Sequence, residues 1–138
     1  MSESALTDAF IYDGIRTPFG RHAGALAPVR PDDLLAHVIR TVVEKNDFPK
    51  EAFEDVIAGN TNQAGEDCRN VARFASLLAG MPVEVGGLTV NRLCASGLAA
   101  TLHAGNSVKI REGELFLAGG VESMSRAPLV TVSYTHLT

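Results

Sequence analysis

The chain has 138 residues, enough for one domain with its own hydrophobic core. Apolar residues make up 46% and charged residues 20%, which is typical of a globular protein and excludes an intrinsically disordered one. The net charge of -4, without blocks of like charge, argues against nucleic-acid binding and a polybasic membrane surface. No apolar run approaches the roughly 20 residues of a membrane span, and no signal peptide is visible. We therefore expect a cytoplasmic protein.

Cys68 and Cys94 are the two cysteines of the chain. Neither has a cysteine or histidine partner at zinc-ligand spacing, so the sequence predicts no metal site. In a reducing compartment both should be free thiols, with a structural disulfide between them as the alternative.

Four β-prone runs alternate with three helical segments. The predicted strands cover residues 9–13, 55–58, 88–93 and 114–120, and the first is expected to be buried. The predicted helices begin at Pro31, after Asn70 as a capping residue, and after Cys94. This alternation predicts an α/β fold with right-handed crossovers and a mainly parallel sheet that carries helices on both faces.

Two loops contain candidate functional residues. The polar stretch 59–67 is interpreted as a surface crossover, and its paired acids Glu66 and Asp67 as charges at the start of the next helix. The strand ending in Gly119 and Gly120 is expected to allow close approach of a ligand or of another backbone.

Cys94 lies where a predicted strand ends and a helix begins. A tight turn there can project the side chain into a cleft, and the free N–H groups of a helix start favour negative charge on sulfur. Cys94 is therefore a candidate nucleophile, with a small buried apolar side chain as the alternative. The following helix is rich in small residues and is expected to be deeply buried. His103 lies about 13 Å along that helix, too far to serve as the base for Cys94.

The residues around Cys94 resemble the acyl-enzyme signature of the thiolases, with the sequence Val90-Asn91-Arg92-Leu93-Cys94-Ala95-Ser96-Gly97-Leu98. Further thiolase-like blocks follow one another in the right order at residues 16–21, 65–67, 69–73 and 118–128, so that the similarity runs from about Ala9 to Leu129. The stretch Gln63 to Asp67 looks most like the degradative branch that includes 3-oxoadipyl-CoA thiolases. Cys68 stands where that branch has asparagine, and is interpreted as a neutral surface change.

The resemblance implies a thiolase-like N-terminal half-domain over residues 1–130, a three-layer α/β fold that is incomplete. It also implies thiolytic cleavage of a 3-oxoacyl-CoA, with 3-oxoadipyl-CoA as the candidate substrate, to acetyl-CoA and a shortened acyl-CoA. Cys94 matches the nucleophile that carries the acyl group, and backbone N–H groups near it are expected to help stabilise the oxyanion. Coenzyme A is then a substrate, no bound cofactor is implied, and the cofactor-binding residues stay unknown. Family members assemble as homodimers or homotetramers.

Other features depart from the family pattern. Family members are about three times as long, and their catalytic histidine, second cysteine and asparagine–histidine motif lie in the C-terminal half. None of the four histidines matches those motifs: His22, His37, His103 and His136. Residues 131–138 do not look like thiolase and are assigned to a non-family tail, as a frameshift or chimeric read would produce.

Three functions remain open from the sequence. The first is an N-terminal piece of a thiolase, either of the 3-oxoadipyl-CoA type or an acetoacetyl-CoA thiolase, with no measurable thiolysis on its own. The second is a non-catalytic assembly module that joins a partner. The third is a thiol enzyme of another class, such as a hydrolase, which the lack of a histidine partner disfavours.

Overall fold

A parallel sheet of three strands organises the chain in the computed structural model, which describes residues 6–128. The strands are β1 (Asp55–Gly59), β2 (Gly86–Val90) and β3 (Phe116–Gly120), in the order β2-β1-β3. Asp55 pairs with Gly86 and with Phe116, and the register runs without a break to Gly59. Because all three strands point the same way, the loops that follow them meet at one edge of the sheet.

Helices cover both faces of this sheet. Helices α1 (Pro31–Lys45) and α2 (Val71–Leu78) lie on one face, and α3 (Ser96–Lys109) lies on the other. Two single 3-10 turns, Lys50–Ala52 and Gly65–Asp67, complete the regular structure of the described residues. The three-layer α/β arrangement predicted from the sequence is confirmed.

Alternate residues of β1 divide the core between the two faces, as the period of two in a strand requires. Val56 and Ala58 pack with α1 and α2, whereas Ile57 packs with Ala100 and Ala104 of α3. The larger core contains Leu35, Ala36, Ile39, Val43, Phe53, Val71, Ala72, Ala75, Ala79, Met81 and Val85. β1 is thus buried on both faces, which explains its continuous apolar sequence.

The helix starts follow the predicted signals. Pro31 occupies the first turn of α1 together with two acidic residues, where a missing N–H costs nothing and negative charge complements the helix dipole. Asn70 caps α2, because its Oδ1 accepts from the Arg73 N–H at 3.2 Å. The Asn70 Nδ2 also donates to the Gly87 carbonyl at 2.8 Å, so the cap anchors α2 to β2.

The strand predicted for residues 9–13 is wrong. The segment pairs with none of the three strands and runs outside the sheet, where the Asp13 carboxylate accepts from Lys45 Nζ at 3.1 Å and from Asn46 Nδ2 at 2.9 Å. The side chains of Phe10 and Ile11 are 87% and 85% exposed. Tyr12 packs edge-on against Phe48, with ring centroids 4.9 Å apart, which holds the segment near the end of α1.

The deep burial predicted for α3 is only half right. Its small residues do face the sheet, and Ala100 and Ala104 are buried. On the opposite side Leu98 and Leu102 are 63% and 58% exposed, because no described element packs over them.

Candidate active site

Three polar loops meet at the carboxyl edge of the sheet. They begin at Asn60 after β1, at Asn91 after β2 and at Val121 after β3. In a parallel sheet this edge is where ligands and catalytic residues gather. Cys94 lies in the second loop and is exposed, so the alternative of a small buried apolar cysteine is wrong.

The Cys94 turn has an unusual backbone that polar side chains fix. β2 ends at Val90 rather than at the predicted Leu93, because Leu93 adopts the left-handed conformation with a φ of 51°. The Leu93 N–H donates to the Asn91 Oδ1 at 2.9 Å. The buried Ser96 hydroxyl donates to the Leu93 carbonyl at 2.6 Å and accepts from the Arg92 N–H at 2.8 Å. The residues on both sides of Cys94 are therefore held in place.

Two backbone amides that follow Cys94 are already engaged in the turn. The Ala95 N–H donates to the Arg92 carbonyl at 3.1 Å, and the Ser96 N–H donates to the Leu93 carbonyl at 3.0 Å. These two amides are therefore not free donors for an oxyanion, and the expected role of backbone N–H groups is limited to others near the sulfur.

The start of α3 lies directly on the end of β1. A Cβ placed on Gly59 would come within 2.3 Å of the Ser96 carbonyl carbon and 2.4 Å of the Gly97 nitrogen. A Cβ on Gly120 would come within 2.8 Å of the Gly59 carbonyl oxygen. The glycine predicted to allow close backbone approach is thus Gly120, and Gly59 sets the depth at which the Cys94 turn lies against the sheet.

The loop after β1 is not the surface crossover predicted from its composition. Asn60 is fully buried, its Nδ2 donates to the Val121 carbonyl at 2.9 Å, and its Oδ1 accepts from the Gln63 N–H at 2.8 Å. Thr61 connects the same three loops, because its N–H donates to Glu122 at 3.0 Å and its carbonyl accepts from Asn91 at 3.2 Å.

The paired acids of this loop do not act as charges at a helix start. Glu66 forms a two-pronged ion pair with Arg126, with both N···O distances 2.5 Å, and these hydrogen bonds lower the pKa of the Glu66 carboxyl. Asp67 is buried and accepts from the Asn62 Nδ2 at 2.9 Å, while its Oδ1 has no partner among the described residues. Burial raises the pKa of Asp67. Glu66 joins the loop to the segment after β3, whereas Asp67 holds the loop to itself, and α2 begins later, at Val71.

None of the described histidines is on the Cys94 turn. His22 is on the loop after residue 20, His37 is on α1 and His103 is on α3, and all three are exposed. His136 lies outside the described residues. Cys68 is a free, half-buried thiol in the left-handed conformation, so the disulfide alternative is wrong.

No group of three or more histidine, cysteine, aspartate and glutamate side chains between residues 6 and 128 is arranged to hold a metal ion. Over the same residues, every helix is too short or too polar to cross a membrane. A cavity of about 560 Å³ lies between the 13–22 loop, α1 and β3, and Cys94 is not among its lining residues.

Sequence reasoning located Cys94 but missed the residues that hold its turn. Asn60, Asn91 and Glu122 each follow a strand by one or two positions. Since the carboxyl ends of parallel strands share an edge, that recurrence was a usable signal for a shared polar network.

Comparisons with known proteins agree with this geometry. The family model described as the thiolase N-terminal domain matches residues 9–136. That match extends beyond residue 131, and the boundary of a non-family tail, which lies outside the described residues, stays a prediction.

Several curated relatives are more than half identical to this chain. The 3-oxoadipyl-CoA/3-oxo-5,6-dehydrosuberyl-CoA thiolase of Escherichia coli is 56% identical over 126 residues, covering 91% of this chain and 31% of that protein. A β-ketoadipyl-CoA thiolase of Acinetobacter baylyi is 58% identical over 123 residues, covering 88% of this chain and 31% of that protein. The chain thus spans about a third of the length of these relatives.

A solved structure, the acetyl-CoA acetyltransferase of Bacillus anthracis, is 33% identical. The two superpose with a TM-score of 0.88 over 94% of this chain and 33% of that one. The chain belongs to the thiolase family, in its N-terminal domain.

Proposed function

We propose that this chain supplies the nucleophilic part of a thiolase that cleaves 3-oxoacyl-CoA thioesters, with 3-oxoadipyl-CoA as the substrate. The observation that carries the proposal is the exposed Cys94, held on a fixed turn at the carboxyl edge of a parallel sheet. The names of the relatives that are more than half identical support the substrate.

In the proposed reaction the Cys94 thiolate attacks the 3-keto carbon of the substrate. The bond between C2 and C3 breaks, and C2 takes a proton and leaves as acetyl-CoA. The shortened acyl group stays on sulfur as a thioester until the thiolate of free CoA removes it. Sulfur suits both steps, because it is a good nucleophile and then a good leaving group. CoA is a substrate here, and the proposal includes no bound cofactor.

Two broader features belong to the same proposal. The protein acts in the cytoplasm, for which its CoA-thioester substrate argues, and it assembles as a homodimer or homotetramer. Exposed apolar side chains support assembly, among them Phe10 and Leu98.

The alternative substrate is acetoacetyl-CoA, which the name of the Bacillus anthracis structure favours. A chimera distinguishes the two. Residues 9–128 of this chain replace the matching segment of the Escherichia coli relative, and acetyl-CoA release is measured with 3-oxoadipyl-CoA and with acetoacetyl-CoA. We expect the first substrate to give the higher kcat/KM, and the reverse order would favour the alternative.

The same chimera tests the nucleophile. We expect Cys94→Ser to lower kcat by about a thousandfold or more, because the hydroxyl is a far weaker nucleophile and leaving group. Cys68→Ser is the matched control and should stay within about twofold of the parent. Mass spectrometry of the trapped enzyme should find the acyl group on Cys94. Thiolysis that survives in Cys94→Ser, or an acyl group found on Cys68, would overturn the proposal.

A further inference from the structure

We infer that Asn91 is a positioning residue for Cys94, and that it fixes the nucleophile turn against the loops that follow β1 and β3. This inference rests on the proposed function for the chemical role of the sulfur. Its structural basis is a chain of hydrogen bonds that begins at Glu122, passes through Thr61 and Asn91, and ends at the Leu93 amide.

Asn91 uses both ends of its side-chain amide. Its Nδ2 donates to the Thr61 carbonyl at 3.2 Å, 30 residues away in the sequence, and its Oδ1 accepts from the Leu93 N–H at 2.9 Å. Leu93 has a φ of 51°, a conformation that a branched, bulky side chain adopts only when its surroundings impose it. The Asn91 side chain thus connects the strained residue before Cys94 to a different loop.

The Thr61 carbonyl is itself fixed in position. The Thr61 N–H donates to the Glu122 carboxylate at 3.0 Å. The preceding residue, Asn60, donates from its backbone to the Val90 carbonyl at 3.1 Å and from its side chain to the Val121 carbonyl at 2.9 Å. The acceptor that Asn91 uses, the Thr61 carbonyl, is therefore fixed by hydrogen bonds to the ends of all three strands.

Cys94 needs such support because it is exposed. A buried nucleophile is oriented by its packing, whereas an exposed one depends on the backbone that carries it. A displacement of about 1 Å from the attacking geometry can cost a hundredfold in rate. The residues that hydrogen-bond to Leu93 therefore determine how accurately the Cys94 sulfur is positioned for attack on a carbonyl carbon.

Kinetics of the chimera test the inference with two variants and a control. Asn91→Ala removes both hydrogen bonds, and Asn91→Asp keeps the acceptor for Leu93 but loses the donor to Thr61. We expect Asn91→Ala to lower kcat about tenfold or more with KM within about twofold, and Asn91→Asp to recover part of that loss. Asn106→Ala, an exposed position on α3, should leave both constants unchanged. Equal losses in kcat for Asn91→Ala and Asn106→Ala would overturn the inference.

Hydrogen exchange in the 138-residue chain gives a readout that does not depend on activity. We expect the Leu93 amide to exchange about tenfold faster in Asn91→Ala than in the parent, and to keep its protection in Asn91→Asp. Unchanged exchange at Leu93 in Asn91→Ala would refute the positioning role even if Cys94 is the nucleophile. Conversely, thiolysis that persists in Cys94→Ser refutes the proposed function, and the exchange result then still decides whether Asn91 holds the turn.

Discussion

Cys68 adopts the left-handed backbone conformation, with a φ of 54°, directly after the 3-10 turn Gly65–Asp67. Residues other than glycine, asparagine and aspartate are disfavoured there, because Cβ crowds the neighbouring carbonyl. The thiol makes one long hydrogen bond, to the Glu66 carbonyl at 3.4 Å. The asparagine that the family resemblance places at this position therefore has a physical reason, and the backbone conformation predicts that the substitution lowers stability.

We expect Cys68→Asn to raise the free energy of unfolding by up to about 1 kcal/mol, because asparagine tolerates the left-handed conformation better than cysteine does. Urea denaturation under reducing conditions measures the difference. Cys68→Val is the control and should lose about 1 kcal/mol or more, since a β-branched side chain is still less suited to this backbone. An asparagine variant less stable than the parent would contradict the backbone argument.

Glu66 makes the stability of the chain sensitive to acid. Its hydrogen bonds with Arg126 lower the folded-state pKa below the ordinary value of 4.5. A carboxyl whose pKa is lower in the folded state stabilises the fold above its unfolded pKa, and this stabilisation is lost as the pH falls through the folded pKa. The ion pair therefore contributes at neutral pH and is lost in acid.

The test compares the parent with Glu66→Gln in urea denaturation between about pH 6 and about pH 3. We expect the variant to be less stable near pH 6 and the difference to shrink steadily below about pH 4.5, where the parent carboxyl takes up its proton. Glu114→Gln, at an exposed residue ahead of β3, is the matched control and should show no such convergence. A constant difference across the range would show that the Glu66 charge does not matter.

At this scale the sequence locates single residues better than it locates their partners. Cys94 and the Asn70 cap are predictable because their signals are local, a turn between strand and helix and a polar residue before an apolar helix. The pairing of Glu66 with Arg126 joins residues 60 positions apart, and that of Asn60 with Val121 joins residues 61 apart. Nothing in the local pattern of either partner indicates the other.

At the scale of elements, α3 lies close to β1 because Gly59 has no side chain. We expect Gly59→Ala to cost about 2–4 kcal/mol, since its methyl group would meet the backbone of Ser96 and Gly97 and would push the start of the helix outward. The displacement also moves the Cys94 turn, so thiolysis by the chimera should fall together with stability.

Gly105→Ala is the matched control for this prediction. Gly105 lies in the middle of α3, and a Cβ there meets nothing within 4 Å. Alanine should therefore stabilise the helix by about 0.5–1 kcal/mol. Urea denaturation of both variants gives the comparison, and a Gly59→Ala variant as stable as the parent would show that α3 can shift at little cost.

Most helices and strands were predictable from apolar periodicity. The predictions failed where the structure of a segment depends on which other segments pack against it. Residues 9–13 have a strand-like pattern, but their partners lie at the end of α1, where Asp13 accepts from Asn46 and Tyr12 packs on Phe48, and no strand pairs with them. Likewise the small residues of α3 indicate one tightly packed face, and the pattern does not reveal whether a second layer covers Leu98 and Leu102. Whether the outer side of a helix is buried depends on whether another segment or subunit packs against it.

The whole molecule exposes large apolar side chains on two separate surfaces. The N-terminal surface consists of Phe10, Ile11 and Phe19, and the α3 surface consists of Leu98 and Leu102. The α3 surface lies on the helix that begins after Cys94, on the side opposite the sheet. Exposed apolar side chains of this size favour association in water.

We expect the 138-residue chain to elute in size-exclusion chromatography as a species larger than its 14.6 kDa monomer, with an apparent mass that rises with concentration. A reductant is kept present because both thiols are free. The double variant Leu98→Ser/Leu102→Ser removes the α3 surface. The double variant Phe10→Ser/Phe19→Ser removes the N-terminal surface. The double variant that elutes as a monomer identifies the surface through which the chain associates. These side chains are mostly exposed, and the unfolding free energy should change by less than about 1 kcal/mol for each pair. A parent chain that stays monomeric at every concentration would refute association through either surface and would count against an assembly role.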